Sequence, residues 1–100
     1  MWILSRKRLR EAASRHAEVS EALDAWYKVA KTAKWNSLAD VRRTYPHADP
    51  VDECTVFNIM GNKYRLICWI NYETHKIFIR NVLTHAEYNK GDWKNDCASA

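Results

Sequence analysis

Residues 54–90 constrain the fold more than any other part of the chain. They form the densest run of β-branched, aromatic and other strand-forming residues, interrupted by two turn signals. Gly61-Asn62 tolerates positive φ, and the polar residues 73–76 mark a second turn. The pattern predicts three consecutive antiparallel strands, at residues 55–60, 63–72 and 76–84.

The two turns predict a register, because the number of residues in a turn determines which residues face each other across it. Across the first turn we expect Asn58 opposite Arg65 and Val56 opposite Ile67. Across the second we expect the pairs Arg65 with Thr84, Ile67 with Val82, Trp69 with Arg80, and Asn71 with Phe78.

This register predicts a sheet with two different faces. The apolar face is expected to be the core, and it carries Phe57, Ile59, Tyr64, Leu66, Cys68, Ile70, Tyr72, Ile77, Ile79 and Leu83, with Asn81 as its polar member. The other face is polar, cationic and aromatic, and it carries Asn58, Lys63, Arg65, Trp69, Asn71, Arg80 and Thr84. We therefore expect one face to pack and the other to bind a ligand.

The residues before this meander predict helices. Trp2–Leu4 resembles a short edge strand, Ser5 a helix N-cap, and residues 6–15 a helix. Apolar residues at helical spacing predict a second helix, namely Val19, Ala22, Leu23, Trp26, Ala30 and Ala33. Ser37 and Asp40 predict the start of a short helix at 38–43, and residues 45–53 a surface connection. The fold class is therefore α+β, a single domain of residues 1–100 with the N-terminal helices packed on one face of a small antiparallel sheet.

Charge is unevenly distributed along the 100 residues. The net charge is +4, and residues 1–45 hold ten Lys or Arg against five Asp or Glu. Arg6, Arg8 and Arg10 belong to this basic half, which indicates an acidic partner, either nucleic acid or an acidic protein segment. A basic face that is simply solvated is the alternative.

The cysteine, histidine and hydrophobic patterns argue against a disulfide framework, a metal site and a membrane-spanning or signal segment. Three cysteines without close spacing predict reduced thiols, and the four histidines form no metal-ligand pair, so we expect no metal and no cofactor. No apolar run approaches the length of a membrane span or a signal-peptide core, so we expect a cytoplasmic protein without a membrane partner.

Residues 84–90 place an imidazole, a phenol and an ammonium beside the cationic face. Cleavage of RNA by its own 2′-hydroxyl needs a group that accepts that proton, a group that protonates the leaving oxygen, and cations for the crowded phosphorane. We assign Arg65 and Arg80 to phosphate, Lys63 and Lys90 as supporting cations, and His85 to proton transfer.

Three aromatic or polar side chains complete the expected site. Tyr88 is expected to stack on a base or share the proton transfer, while Trp69 stacks on a base and Asn58 contacts RNA. The structural alternatives are that His85 caps a helical turn and that Trp69 packs under the C-terminal tail.

Two motifs carry a family resemblance that extends over nearly the whole chain. The segments FNIMGNKYRLICWINY and KIFIRNVLTHAEYNK, together with WNSLADVRRTYP, resemble the HigB toxins within the wider RelE-like group. Arg65 matches the arginine of the central strand in that group. The THAEY segment, with His85 and Tyr88, occupies the place of the family's catalytic C-terminal region.

The resemblance implies a RelE-like fold and cleavage of mRNA, usually in the A site of the 30S ribosomal subunit. It also implies neutralisation by a helix-turn-helix antitoxin of the HigA type, with operator DNA bound only through the antitoxin. We therefore expect a metal-independent endoribonuclease toxin. The alternatives are an RNA-binding or ribosome-binding inhibitor that does not cut, and a ParE-like poison of DNA gyrase.

Overall fold

The computed structural model describes residues 1–98 and has an α+β architecture. The strands are β1 (Trp2–Leu4), β2 (Asp49–Val51), β3 (Cys54–Ile59), β4 (Tyr64–Asn71) and β5 (Lys76–Thr84). The helices are α1 (Lys7–Arg15), α2 (Ser20–Thr32), α3 (Leu38–Thr44), α4 (His85–Lys90) and α5 (Lys94–Ala98), with a 3₁₀ turn at Ala17–Val19 before α2.

The strands form one open sheet in the order β1-β5-β4-β3-β2. β1 runs parallel to β5, and the other neighbours are antiparallel. The predicted α+β class, the three-strand meander and the edge strand at the N-terminus are thus confirmed. Within residues 1–98, no helix has the length and hydrophobicity needed to cross a bilayer.

The N-terminal helices pack on one face of the sheet, here called the first face. Leu9 and Ala12 of α1, together with Leu23, Trp26 and Ala30 of α2, point into the core. The Trp26 ring meets Phe57 of β3 edge-on at 5.4 Å between centroids. Burial of these apolar stripes holds the helices on the sheet, because the hydrophobic contribution scales with the apolar area removed from water.

The helix starts were predicted with mixed success. Ser37 caps α3 as expected, and its hydroxyl accepts a hydrogen bond from the Asp40 N–H at 3.3 Å. Ser5 does not cap α1, because it takes a left-handed conformation (φ 65°) where the chain turns out of β1, and Arg6 becomes the N-cap without a side-chain bond. The Ser5 prediction was therefore wrong.

The register across the first turn is as predicted. Asn58 lies opposite Arg65 and Val56 opposite Ile67, while Ile59 pairs with Tyr64 and closes the strands. Met60 (φ 54°) and Gly61 (φ 67°) supply the left-handed backbone that the reversal requires.

The predicted register between β4 and β5 was wrong. The observed pairs are Arg65 with Leu83, Ile67 with Asn81, Trp69 with Phe78, and Asn71 with Lys76. Two features explain the shift. The turn occupies residues 72–75, with His75 in the left-handed region (φ 57°), and the pairing jumps from Asn81 to Ile79, which makes Arg80 an extra residue in a β-bulge.

The bulge changes which β5 residues share a face. Val82 joins the first face and its core, whereas Leu83 and Asn81 move to the opposite, second face. The prediction that Leu83 belongs to the main core was therefore wrong, as was the placement of Thr84 beside Arg65. The remaining predicted core residues of β3, β4 and β5 are confirmed in the main cluster.

The second face carries a small hydrophobic cluster of its own. Trp93 and Cys97, from the C-terminal segment, pack on Cys54, Val56 and Ile67. Sequence patterning predicted this face as an open ligand surface, but the C-terminal helices cover the part of it around β3 and β4. Arg65 lies at the margin of the part of the second face that the C-terminal helices cover.

A disulfide joins this cover to the sheet. Cys54 of β3 is bonded to Cys97 of α5, with 5.3 Å between their Cα atoms, so the prediction that all thiols are reduced was wrong. The chain folds back over the sheet and brings the two cysteines together from 43 residues apart. Cys68 is a free thiol, and complete burial raises its pKa well above the usual range, which keeps it protonated.

The connection predicted at residues 45–53 contains an additional edge strand, which we did not foresee. β2 pairs with β3 through Asp49 with Val56 and Val51 with Cys54. An acidic residue and a proline within three residues hid the strand, but an edge strand needs only one side of its backbone to pair.

Removing the disulfide should lower stability without changing the fold. Closing a loop of this length contributes about 4 kcal/mol to the free energy of unfolding in the chain-entropy model. We expect Cys97→Ala, or a reductant added to the wild type, to lower the melting temperature measured by circular dichroism. The same reductant should leave the melting temperature of Cys97→Ala unchanged, and a wild type that melts identically with and without reductant would contradict this role.

Candidate active site

A polar cleft opens on the second face where β2, β3 and β4 approach α4. Its volume is about 320 Å³. It is lined by Arg42, Pro46, His47, Ala48, Asp49, Val56, Asn58, Arg65 and Tyr88. We call it the Arg65 cleft, because that arginine is the most buried charged residue described.

Arg65 is held in position by backbone and ring contacts. Its residue is only 9% exposed, and its Nη1 donates to the carbonyl oxygens of Asn62 at 2.9 Å and Tyr64 at 3.3 Å. Its Cζ lies 5.0 Å from the centre of the Tyr88 ring. These contacts offset the cost of burying a cation. The guanidinium has further N–H groups, which gives an anion in the cleft a donor whose orientation is already fixed.

Tyr88 reaches the cleft because α4 starts at a defined point. The Thr84 hydroxyl accepts from the Glu87 N–H at 3.2 Å, and the Glu87 carboxylate accepts from the Thr84 N–H at 2.9 Å, a reciprocal capping box. The Tyr88 ring stacks on Trp93 with 4.9 Å between centroids, and the Trp93 indole N–H donates to the Tyr88 carbonyl. Since its ring is engaged by both Arg65 and Trp93, Tyr88 offers a ligand mainly its hydroxyl.

Glu87 serves the helix start. The hydrogen bond from the Thr84 backbone N–H lowers the pKa of Glu87 below its ordinary value. The carboxylate is therefore ionised at neutral pH and occupied by the cap.

His47 and Arg42 line the cleft, and sequence reasoning missed both. The Arg42 Nε donates to the Ala48 carbonyl at 3.0 Å, which ties α3 to the start of β2. Ala48 is buried between His47 and Asp49, which are exposed. The sequence signal for an exposed imidazole is the position of His47 between Pro46 and Pro50, in the turn that leads from α3 into the edge strand β2.

Of the predicted site residues, the structure brings Asn58, Arg65 and Tyr88 together in the cleft. His85 is the first residue of α4; it is exposed and lies outside the cleft lining, and its backbone N–H donates to the Lys63 carbonyl at 2.9 Å. Lys63 itself is exposed in the β3–β4 turn.

The other predicted contacts lie farther away. Arg80 is the bulge residue; its Nε is buried without a hydrogen-bond partner among residues 1–98. Trp69 packs against Phe78 at 5.0 Å between centroids and is half-buried, and Lys90 lies at the exposed end of α4. The structure does not bring these residues into the Arg65 cleft.

The N-terminal arginines belong to the helical layer on the first face. Arg8 and Arg10 are exposed on α1, and Arg6 precedes it with its guanidinium 4.3 Å from the centre of the Tyr27 ring. They are therefore separated from the Arg65 cleft by the sheet.

The cleft combines the guanidinium groups of Arg42 and Arg65 with one imidazole, one phenol, one amide and the carboxylate of Asp49. Such a set can bind a phosphate and move protons. Within the described part of the chain, no three His, Cys, Asp or Glu side chains are grouped so as to hold a metal ion.

Comparison with known proteins places the chain among toxins. Residues 19–91 match the model of the HigB toxin family, described as the RelE-like toxic component of a toxin-antitoxin system. The chain is 28% identical over 93 residues to the mRNA interferase HigB of Escherichia coli O6:H1, an alignment covering 90% of each protein. It is 27% identical over 92 residues to the mRNA interferase HigB of Shigella flexneri, covering 89% of this chain and 88% of that one.

The match extends from the last turn before α2 through the whole meander to the end of α4, so it includes every residue of the Arg65 cleft. On this evidence the chain belongs to the HigB toxin family.

Proposed function

We propose that this toxin is an endoribonuclease that cleaves mRNA on the ribosome and so stops translation. One observation carries the proposal: a buried, pre-oriented Arg65 guanidinium faces a polar cleft that also holds an imidazole and a phenol. The names of the similar proteins, mRNA interferases, support the same substrate. Because the proposed substrate is mRNA on ribosomes, the proposed site of action is the cytoplasm.

The proposed reaction is attack of the RNA 2′-hydroxyl on the adjacent phosphorus. The 2′-oxygen loses its proton and bonds to phosphorus, the bond to the 5′-oxygen breaks, and that oxygen gains a proton, leaving a 2′,3′-cyclic phosphate that water can open to a 3′-phosphate. Arg65 donates to the non-bridging oxygens, on which negative charge builds up in the phosphorane. No step uses a metal or cofactor.

We assign proton transfer first to His47, because it lines the same cleft as Arg65. Imidazole suits this role near neutral pH. His85 is the competing candidate, predicted from the THAEY motif but lying outside the cleft lining. Tyr88 also lines the cleft, and we propose that its hydroxyl shares the proton transfer or orients the phosphate.

Contacts to RNA beyond the scissile phosphate are proposed for the surrounding polar and cationic residues. Asn58 lines the cleft. Lys63 lies next to the first residue of α4, and Lys90 is the last residue of that helix. Arg80 and Trp69 are proposed contacts on β5 and β4, and Arg6, Arg8 and Arg10 are proposed contacts to ribosomal RNA from the helical layer.

The proposed partner in the cell is a helix-turn-helix antitoxin of the HigA type. Membership in a toxin-antitoxin family supports an antitoxin partner. Operator DNA would be bound only through that antitoxin.

Primer extension tests the function. The toxin is added to translating ribosomes and, separately, to the same mRNA without ribosomes. We expect new mRNA ends only with ribosomes, and these ends should survive removal of the protein. Blocked translation without new ends would instead establish a binding inhibitor, and altered supercoiling by DNA gyrase would establish a gyrase poison.

Arg65→Ala should slow cleavage by roughly 100-fold or more, the scale for losing one preorganised donor to transition-state charge. Arg43→Ala, at an exposed residue of α3 that is ion-paired with Asp40, is the matched control and should cut within a few-fold of the wild type because Arg43 lies outside the cleft. Single-turnover rates and melting curves are measured for both. A folded Arg65→Ala variant that cuts at the wild-type rate would remove Arg65 from the mechanism.

His47→Ala and His85→Ala distinguish the two imidazoles. Loss of a general acid or base costs roughly 100- to 10,000-fold. We expect this loss in His47→Ala, with His85→Ala within a few-fold of wild type in the same assay. The reverse pattern would assign the proton transfer to His85 instead.

Tyr88→Phe keeps the ring contacts to Arg65 and Trp93 and removes only the hydroxyl. We expect cleavage to fall by roughly 10-fold or more while the melting temperature is unchanged, whereas Tyr88→Ala should lower both. If Tyr88→Phe retains full activity, the hydroxyl has no part in the reaction and Tyr88 acts only by supporting Arg65.

A further inference from the structure

A second groove lies at the β1 edge of the sheet, away from the Arg65 cleft. Its volume is about 760 Å³. The end of β1, the C-terminal part of α2 and the β4–β5 turn form its walls, through Trp2, Arg6, Tyr27, Lys31, Lys34 and His75. We call it the β1 groove.

The charged side chains that line the β1 groove are all cationic. Arg6, Lys31 and Lys34 line it, no acidic residue of the described chain does, and none of these three forms an ion pair with residues 1–98. Lys76 adds a further cation, with its Nζ 5.3 Å from the centre of the Trp2 ring. Uncompensated cations along one groove attract a polyanion.

The groove also presents an exposed aromatic ring. Trp2 is 64% exposed, whereas Trp26, Trp35 and Trp93 are all at most 5% exposed. The fold does not need this ring for packing, because its neighbour Ile3 is the β1 residue that enters the core. An exposed indole beside unpaired cations matches the pattern by which proteins bind single strands, with bases on aromatic rings and phosphates on cations.

We propose that the β1 groove binds single-stranded RNA, with phosphates on Arg6, Lys31 and Lys34 and a base stacked on Trp2. An acidic peptide would match the cations but would supply no base to stack on the exposed Trp2 ring. The inference rests on the proposed function for its biological meaning, since it adds a second RNA contact to the same toxin.

The β1 groove is remote from the reaction. Trp2 pairs with Lys76 and Lys76 with Asn71, at one end of β4, while Arg65 lies near the other end. The usual rise per residue separates these two ends by roughly 20 Å. The groove therefore holds RNA outside the cut site, either another segment of the message or ribosomal RNA.

Binding is tested on the whole protein by fluorescence anisotropy with a labelled short 2′-O-methyl oligouridylate, which cannot be cut. We expect Lys31→Glu/Lys34→Glu to weaken binding by at least about 10-fold and to make it less salt-dependent. Trp2→Ala should weaken it roughly 5- to 100-fold, and Trp2→Phe should recover part of that loss.

Lys28→Glu is the matched control. Lys28 lies on the same helix but outside the groove lining, in an ion pair with Asp24 at 3.0 Å. The Lys28→Glu variant should bind RNA with an affinity within a few-fold of that of the wild type. Melting curves check that every variant folds. Equal binding by Lys31→Glu/Lys34→Glu and Lys28→Glu, or unchanged binding by Trp2→Ala, would overturn the proposal.

Two further measurements distinguish RNA binding in the β1 groove from the binding of acidic peptides and from the nuclease proposal. Polyglutamate that displaces the RNA at equal charge concentration would show that the groove binds acidic peptides, and would also overturn it. Arg65→Ala should retain groove binding while losing cleavage. If the wild type cuts no RNA yet the groove variants lose binding, the nuclease proposal fails and the groove stands.

Discussion

The contact between the Arg65 guanidinium and the Tyr88 ring connects the central strand to the C-terminal helices, and the arrangement of the second face depends on it. A cation at 9% exposure needs compensation, which comes from the carbonyl oxygens of Asn62 in the β3–β4 turn and Tyr64 in β4, and from the ring. Tyr88 is held in turn by Trp93, and the Cys54–Cys97 disulfide fixes the same segment to β3. The groups that cover the second face therefore also orient its one buried cation.

The other wall of the cleft has a separate origin. α3 and β2 are joined by a short connection, which the hydrogen bond from Arg42 to Ala48 holds against the sheet. Burial of Ala48 leaves His47 and Asp49 facing outward, with Asp49 opposite Val56 in the register. The turn before β2 thereby places an imidazole in the lining of the same cleft as the guanidinium of the central strand. The cleft is thus assembled from three parts of the chain that have no contact in sequence.

The sequence predicted the β3–β4 pairing, and with it the position of Arg65 beside Asn58, because a short turn leaves little freedom of register. It could not predict the β5 register, since the bulge at Arg80 and the left-handed His75 depend on tertiary packing rather than on local pattern. The Cys54–Cys97 bond was missed because an odd cysteine count gives no pairing information across 43 residues. His47 was missed because it lies in the short turn before β2, a three-residue strand that looks like a loop in the sequence.

The most direct measurement is a titration of the ¹⁵N-labelled toxin with a 2′-deoxy oligonucleotide, followed by NMR of the arginine side-chain N–H and histidine ring resonances. Cleavage is impossible on this ligand, so the spectra report binding alone. We expect the Arg65 and His47 resonances to shift together at the same ligand concentration, and the resonances of Arg43, which is exposed on α3 and outside the cleft, to stay unchanged. Saturable binding that moves Arg80 and His85 but leaves Arg65 and His47 unchanged would contradict the Arg65 cleft as the active site.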